Sequence, residues 1–151
     1  MRIFDHLVDS PSRLGDDLGC EVELSFSDRQ RSRLRVSLGC GGAVGISVPR
    51  GTILRDGQWL GSSDEHLLQV RAAPESVSIV HASEPLGLAR AAYHLGNRHV
   101  WVQLGSDWLC YLADPVLDQM LVQLGYDVSH GEQPFEPEAG AYASHGHAHG
   151  H

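Results

Sequence analysis

The hydrophobic periodicity of this chain changes once, near the segment Ala72 to Glu75, and the two patterns on either side cannot share one regular layer. Upstream the side chains alternate apolar and polar, as in Glu21 to Phe26 and Arg33 to Leu38, with Ile46 to Val48, Ile53 to Leu54 and Leu67 to Val70 as further short strands. Gly39, Gly41, Gly42, Gly45, Pro49, Gly51 and the Asp56–Gly57 pair punctuate this part, so residues 1–72 read as a small all-β domain.

Downstream, helical and strand patterns interleave. Val77 to Val80 is a β-branched strand. Ser83 then offers an N-cap hydroxyl, with Glu84 and Pro85 in the first turn of a helix whose apolar stripe is Leu88, Ala89, Ala92, Tyr93 and Leu95. Gly96 is placed to end it as the left-handed residue. His99 to Leu104 and Trp108 to Leu112 form a hairpin through Gly105 to Asp107. Asp114 caps a second helix that opens with Pro115, buries Val116, Leu117, Met120, Leu121 and Leu124, and stops at Gly125; Tyr126 to Val128 closes the order as a strand. Strand, helix, strand, strand, helix, strand over 76–131 is the split βαβ arrangement of ferredoxin-like folds, so the expected class is α+β.

From Glu132 onward apolar residues thin out, Pro134 and Pro137 oppose helix, and a flexible tail over 132–151 is expected. It ends with imidazoles at every second position, His145, His147, His149 and His151, separated only by Gly and Ala. Small spacers let several neutral imidazoles reach one ion, and imidazole suits divalent Ni, Zn, Cu and Co better than Mg or Ca.

The chain has 151 residues, 42% apolar and 20% charged, enough for one ordinary domain or two small ones. Its 11 basic against 19 acidic residues leave a formal charge of −8, which argues against nucleic acid or an anionic membrane as a partner. Cys20, Cys40 and Cys110 are widely spaced and odd in number, with no close pair; they read as small buried hydrophobes of a protein kept in a reducing compartment. The N-terminus lacks the apolar core of a secretory signal and no run spans a membrane, so a cytoplasmic protein is expected. Phosphate-loop, nucleophile-elbow and zinc-protease signatures are all missing, and no enzyme activity is expected. Two further histidines, His94 and His99, flank the end of the first helix, and His99 sits at a corner where its ring can leave the core.

Four collinear segments carry a resemblance: Ala91 to Val100, which contains Asn97, Arg98 and His99; Leu112 to Leu121; Pro134 to Tyr142; and Pro49 to Gly57. Together with the histidine-rich end they resemble the UreE family of urease accessory proteins, which are nickel metallochaperones. The resemblance implies a β domain followed by a ferredoxin-like domain through which a homodimer forms. It further implies that His99 lies at the dimer interface, where two copies jointly bind Ni²⁺, with the tail histidines adding ligands and Zn²⁺ or Cu²⁺ as competing ions. The implied partners are the urease accessory GTPase and, through it, the apo-urease complex, docked by the N-terminal domain. Some members carry a peripheral histidine site at the opening of the second helix; here Ala113 and Pro115 occupy those positions, and that site is expected to be missing. The competing reading is a nickel or zinc store working through the tail alone.

Overall fold

The computed structural model describes residues 1–9, 11 and 19–140, so the tail histidines lie outside the described residues. The chain divides into two compact units whose described parts are residues 1–73 and 74–140.

In the first unit, β1 is Arg2–Val8, β2 Cys20–Leu24, α1 Phe26–Arg29, β3 Arg33–Ser37, β4 Ala43–Ser47, β5 Trp59–Ser62 and β6 Leu67–Ala72. All six strands form one sheet in the order β2-β6-β5-β1-β4-β3. Alternation along β6, β4 and β2 places Leu68, Val70, Val44, Ile46, Val22 and Leu24 on one buried face, joined by Leu60 and Phe4. The sequence pattern missed β1, although it runs through the middle of the sheet. Only Phe4 of β1 is buried, and the register to β5 slips between Phe4 and His6, so no clean alternation survives there. Ser25 ends the stretch read as strand by capping α1, its hydroxyl accepting from Asp28 N at 3.2 Å. Ile53 and Leu54 are loop rather than strand, yet Leu54 is wholly buried and its N–H donates to Arg29 O.

The cysteine expectation needs correcting. Cys20 and Cys40 are joined in a disulfide, and only Cys110 is free and buried. Cys20 opens β2 and Cys40 lies in the turn after β3, the two outermost strands, so the bridge ties opposite edges of the sheet. Spacing could not reveal this, because the partners become neighbours only when the sheet curls over its core. Burial pushes the Cys110 thiol up to about 11 despite a hydrogen bond from Gln133, as suits an inert core side chain.

In the second unit, β7 is Pro74–His81, α2 Pro85–Asn97, β8 Gln103–Leu104, β9 Trp108–Leu112, α3 Pro115–Gln123 and β10 Val128–Pro134. The sheet order is β10-β7-β9-β8, all pairs antiparallel, which is the expected βαββαβ topology. Val80, Leu109 and Tyr111 from the sheet pack against Ala91 and Leu95 of α2 and Leu117 and Leu121 of α3. Asp114 caps α3 as expected, its carboxylate accepting from Val116 N at 2.9 Å, and Gly125 is left-handed beyond the helix end.

Other boundaries moved. The cap of α2 is Glu84 rather than Ser83, without a side-chain bond. Its buried residues are Ala91 and Leu95, whereas Tyr93 is exposed, so the true stripe is rotated from the one read in the sequence. Val116 of α3 and Leu124 at its C-cap are exposed as well. The last strand does not stop at Val128: β10 runs to Pro134 and Phe135 is wholly buried. Residues 132–134 pair with Ser76 to Pro74 of β7, and Glu138 N donates to Val102 O, so backbone pairing holds a segment whose composition suggested a tail.

A polar cluster joins α3 to this sheet. His130, Ser78 and Tyr111 are cross-strand neighbours on β10, β7 and β9. Asp118 of α3 accepts from Tyr111 OH at 2.6 Å on one oxygen and meets His130 Nε2 at 2.7 Å on the other. Burial works against the Asp118 charge, but Ser78, Tyr111 and His130 outweigh it and hold the carboxyl below the usual range. Burial and the adjacent Asp118 push the Tyr111 phenol upward, so it stays a donor.

Two outcomes are expected. Opening the disulfide, whose partners are 20 residues apart, with a dithiol or by a Cys20→Ser/Cys40→Ser change should lower stability by about 3 kcal/mol in denaturant titration. Because the folded Asp118 pKa is depressed, its contribution is present above the unfolded value of about 3.9 and is lost as pH falls through the folded value. Asp118→Asn should therefore cost about 1–2 kcal/mol near neutral pH and flatten the acid limb of the stability curve.

Candidate metal-binding site

The residue that leaves α2 decides what this region can do. Arg98 is the C-cap, Arg98 N donates to Leu95 O at 3.0 Å, His99 N to Gly96 O at 3.0 Å, and Val100 N to Leu95 O at 3.3 Å. This pair of bonds from His99 and Val100 is a Schellman closure, with His99 in the left-handed position at φ 57°. Gly96, which the sequence suggested for that role, is the penultimate residue of the helix. Val100 turns back onto the core cluster beside Leu95, supplying the apolar contact that usually accompanies the motif.

A non-glycine residue in the left-handed region costs roughly 1–2 kcal/mol. Here the cost falls on an exposed imidazole at the tip of a tight turn. The expected strand from His99 is reduced accordingly: residues 99–102 are turn and loop, and only Gln103 and Leu104 pair with β9. Trp101, 39% exposed, follows two residues later. Along α2, Leu86, Ala89 and Tyr93 recur at helical spacing and are exposed, an apolar strip leading toward the turn that carries His99.

His94 lies on α2, partly buried, its ring edge-on to Tyr93 at 5.5 Å between centroids. Among the described residues no group of three or more His, Cys, Asp or Glu side chains converges on a common point. Among the described residues His99 therefore has at most part of a ligand set. His145, His147, His149 and His151, the other ligands expected from the sequence, lie outside the described residues. Ala113 and Pro115 stand at the mouth of α3, Ala113 N bonded to Ser76 O and Pro115 as the first helical residue, and neither offers a ligand atom.

Asp118 and His130 were not singled out in the sequence reading. Each is an ordinary residue of its own element, and only the packing of α3 over β10 brings them together. The pair fixes one nitrogen of His130 on a carboxylate, an arrangement that orients a ring. With Asp118 already shared between His130 and Tyr111, the cluster serves to clamp the helix to the sheet.

Comparisons with known proteins agree with this architecture. The UreE urease accessory protein N-terminal domain matches residues 13–73, and the C-terminal domain of the same family matches residues 75–151. A urease accessory protein UreE from Ralstonia nicotianae is 54% identical over 131 residues, covering 87% of this chain and 62% of its own length. The UreE of Paraburkholderia xenovorans is 46% identical over 154 residues, covering 100% of this chain and 68% of its own. That of Alkalilimnicola ehrlichii is 52% identical over 121 residues, 80% of this chain and 74% of its own. The chain thus spans about two thirds of the length of the first two relatives. With both halves matched in order, the chain belongs to the UreE family of urease accessory proteins.

Proposed function

We propose that this chain is a nickel metallochaperone that holds Ni²⁺ between the His99 side chains of two copies and surrenders it for assembly of the urease active site. The observation that carries the reading is the exposed His99 imidazole, kept in a left-handed turn where glycine would be easier, at the end of a helix with an unburied apolar strip. A two-fold axis beside that turn doubles one ligand per chain into two. The apolar strip of α2 supplies area that a second copy can cover.

His145, His147, His149 and His151 complete the coordination in this reading. Ligands contributed singly can leave one at a time as an acceptor's ligands replace them, so tight binding and release are compatible. Imidazole sites bind Cu²⁺ more tightly than Ni²⁺, and Zn²⁺ competes for them, so delivery depends on partner contact rather than on affinity alone. The partners proposed are the urease accessory GTPase and, through it, apo-urease, with residues 1–72 as the docking domain; the C-terminal arm begins after Pro134, where the backbone pairs of β10 end, rather than at residue 132. No helix among the described residues is long and apolar enough to cross a membrane. The proposed setting is the cytoplasm, although a bridge such as Cys20–Cys40 is rare in that compartment. The chain supplies ligands and makes no covalent chemistry of its own.

Calorimetric Ni²⁺ titration combined with mass measurement tests this directly. One tight ion per dimer is expected, lost in His99→Ala and retained, more weakly, in a chain ending at Ser144. Several equivalent ions per chain, abolished only by tail removal, would instead identify a nickel store. His99→Gly separates ligand from backbone: thermal unfolding should show a gain of about 1 kcal/mol as the left-handed strain is relieved, while the tight ion disappears.

A further inference from the structure

All 11 basic residues of this chain are arginines, in a protein of formal charge −8. Against that balance Arg31, Arg33, Arg35 and Arg50 are all exposed at one border of the first unit. Val48 N donates to Ser32 O at 2.8 Å, which brings Arg50, two residues on, to the same end of β3 as Arg31. Arg31 has Asp28 at 3.6 Å. Arg33 and Arg35 stand opposite Ser47 and Gly45, so the neighbouring strand offers them no carboxylate.

The backbone at this border is equally specific. β3 is the last strand of its sheet and, among the described residues, pairs with β4 alone. The bonds Val48 N to Ser32 O and Leu38 N to Gly42 O show that residues 32, 34, 36 and 38 turn their peptide groups toward β4. Arg33, Arg35 and Ser37 therefore turn theirs outward. The outward peptide groups and the two guanidinium side chains, which have no ion-pair partner among the described residues, belong to the same residues.

We propose that the β3 edge docks an extended acidic segment of a partner protein, which adds as a further strand and sets its carboxylates beside Arg33 and Arg35. This rests on the docking role proposed above for residues 1–72 and gives that role its chemistry. Strand addition satisfies the open peptide groups, while alternate acidic side chains meet the alternate arginines. A second copy is the wrong occupant, because edge-to-edge pairing of two β3 strands sets arginine against arginine. The phosphates of a nucleic acid can accept from the outward N–H groups but offer no donors to the alternating C=O groups, and the acidic balance of the chain repels a long polyanion.

The test uses the full chain, isotope-labelled, and a blocked peptide of alternating Thr and Glu as probe. Amide exchange at Arg33, Arg35 and Ser37 should slow on binding. Affinity should fall with added salt and drop about tenfold in Arg33→Glu/Arg35→Glu. The same peptide N-methylated at alternate residues should give no protection, a control that leaves the protein's fold untouched. Unchanged exchange at the three amides overturns the proposal, as does equal binding of the N-methylated peptide or of a single-stranded oligonucleotide. Capture of the accessory GTPase at wild-type strength by the Arg33→Glu/Arg35→Glu chain overturns the edge as the docking site while the broader role of residues 1–72 stands. Peptide binding at the edge with no GTPase capture by the wild-type chain supports the strand site and removes the broader role.

Discussion

The burial of Leu95 is the contact on which the candidate site depends. Its side chain is fully enclosed with Ala91, Val80, Leu109, Tyr111 and Leu121, so the last turn of α2 is pinned to the sheet. Its carbonyl then accepts from both Arg98 and Val100. Those two bonds reverse the chain within one turn and leave His99 as the residue that must be left-handed. Packing energy gathered in the core is thus what holds an unfavourable backbone state at the surface, in line with the way strain persists where its surroundings over-determine it.

The two units distribute the work differently. The second unit is a small sheet covered by two helices, with polar reinforcement where Asp118 reaches Tyr111 and His130. The first is a six-stranded sheet whose core is closed by its own curvature and whose outermost strands are tied through Cys20 and Cys40. The bridge constrains one end of the β3 hairpin while the opposite end carries Arg31 and Arg50. A stapled hairpin is a firm base for an edge strand whose peptide groups face outward.

Legibility in the sequence followed how local each cause was. Asp114, Pro115 and Gly125 bracket α3 through bonds and φ angles settled within a few residues, and the structure places them where spacing indicated. The order of elements in the second unit was legible for the same reason, and with it the topology. β1 was not, because its side chains are mostly exposed and a register slip hides its alternation. The α2 stripe was rotated because Tyr93, large and partly apolar, reads as core but stands 65% exposed. The strand over 132–134 was hidden by polar and proline-rich composition that backbone pairing to β7 overrides.

What the sequence determined by itself was the chemistry on offer: imidazoles at a helix exit, an acidic balance, two kinds of periodicity and the motifs that mark the family. It could do so because residue identity and short spacing already specify ligand type, cap and period. Tertiary structure alone decided which residue bears the left-handed turn, which cysteines meet, and which carboxylate holds His130. Each of these depends on groups distant in the chain or on competition between neighbouring glycine and histidine for one backbone position. Only packing of the whole core resolves that competition, and it resolved it in favour of His99.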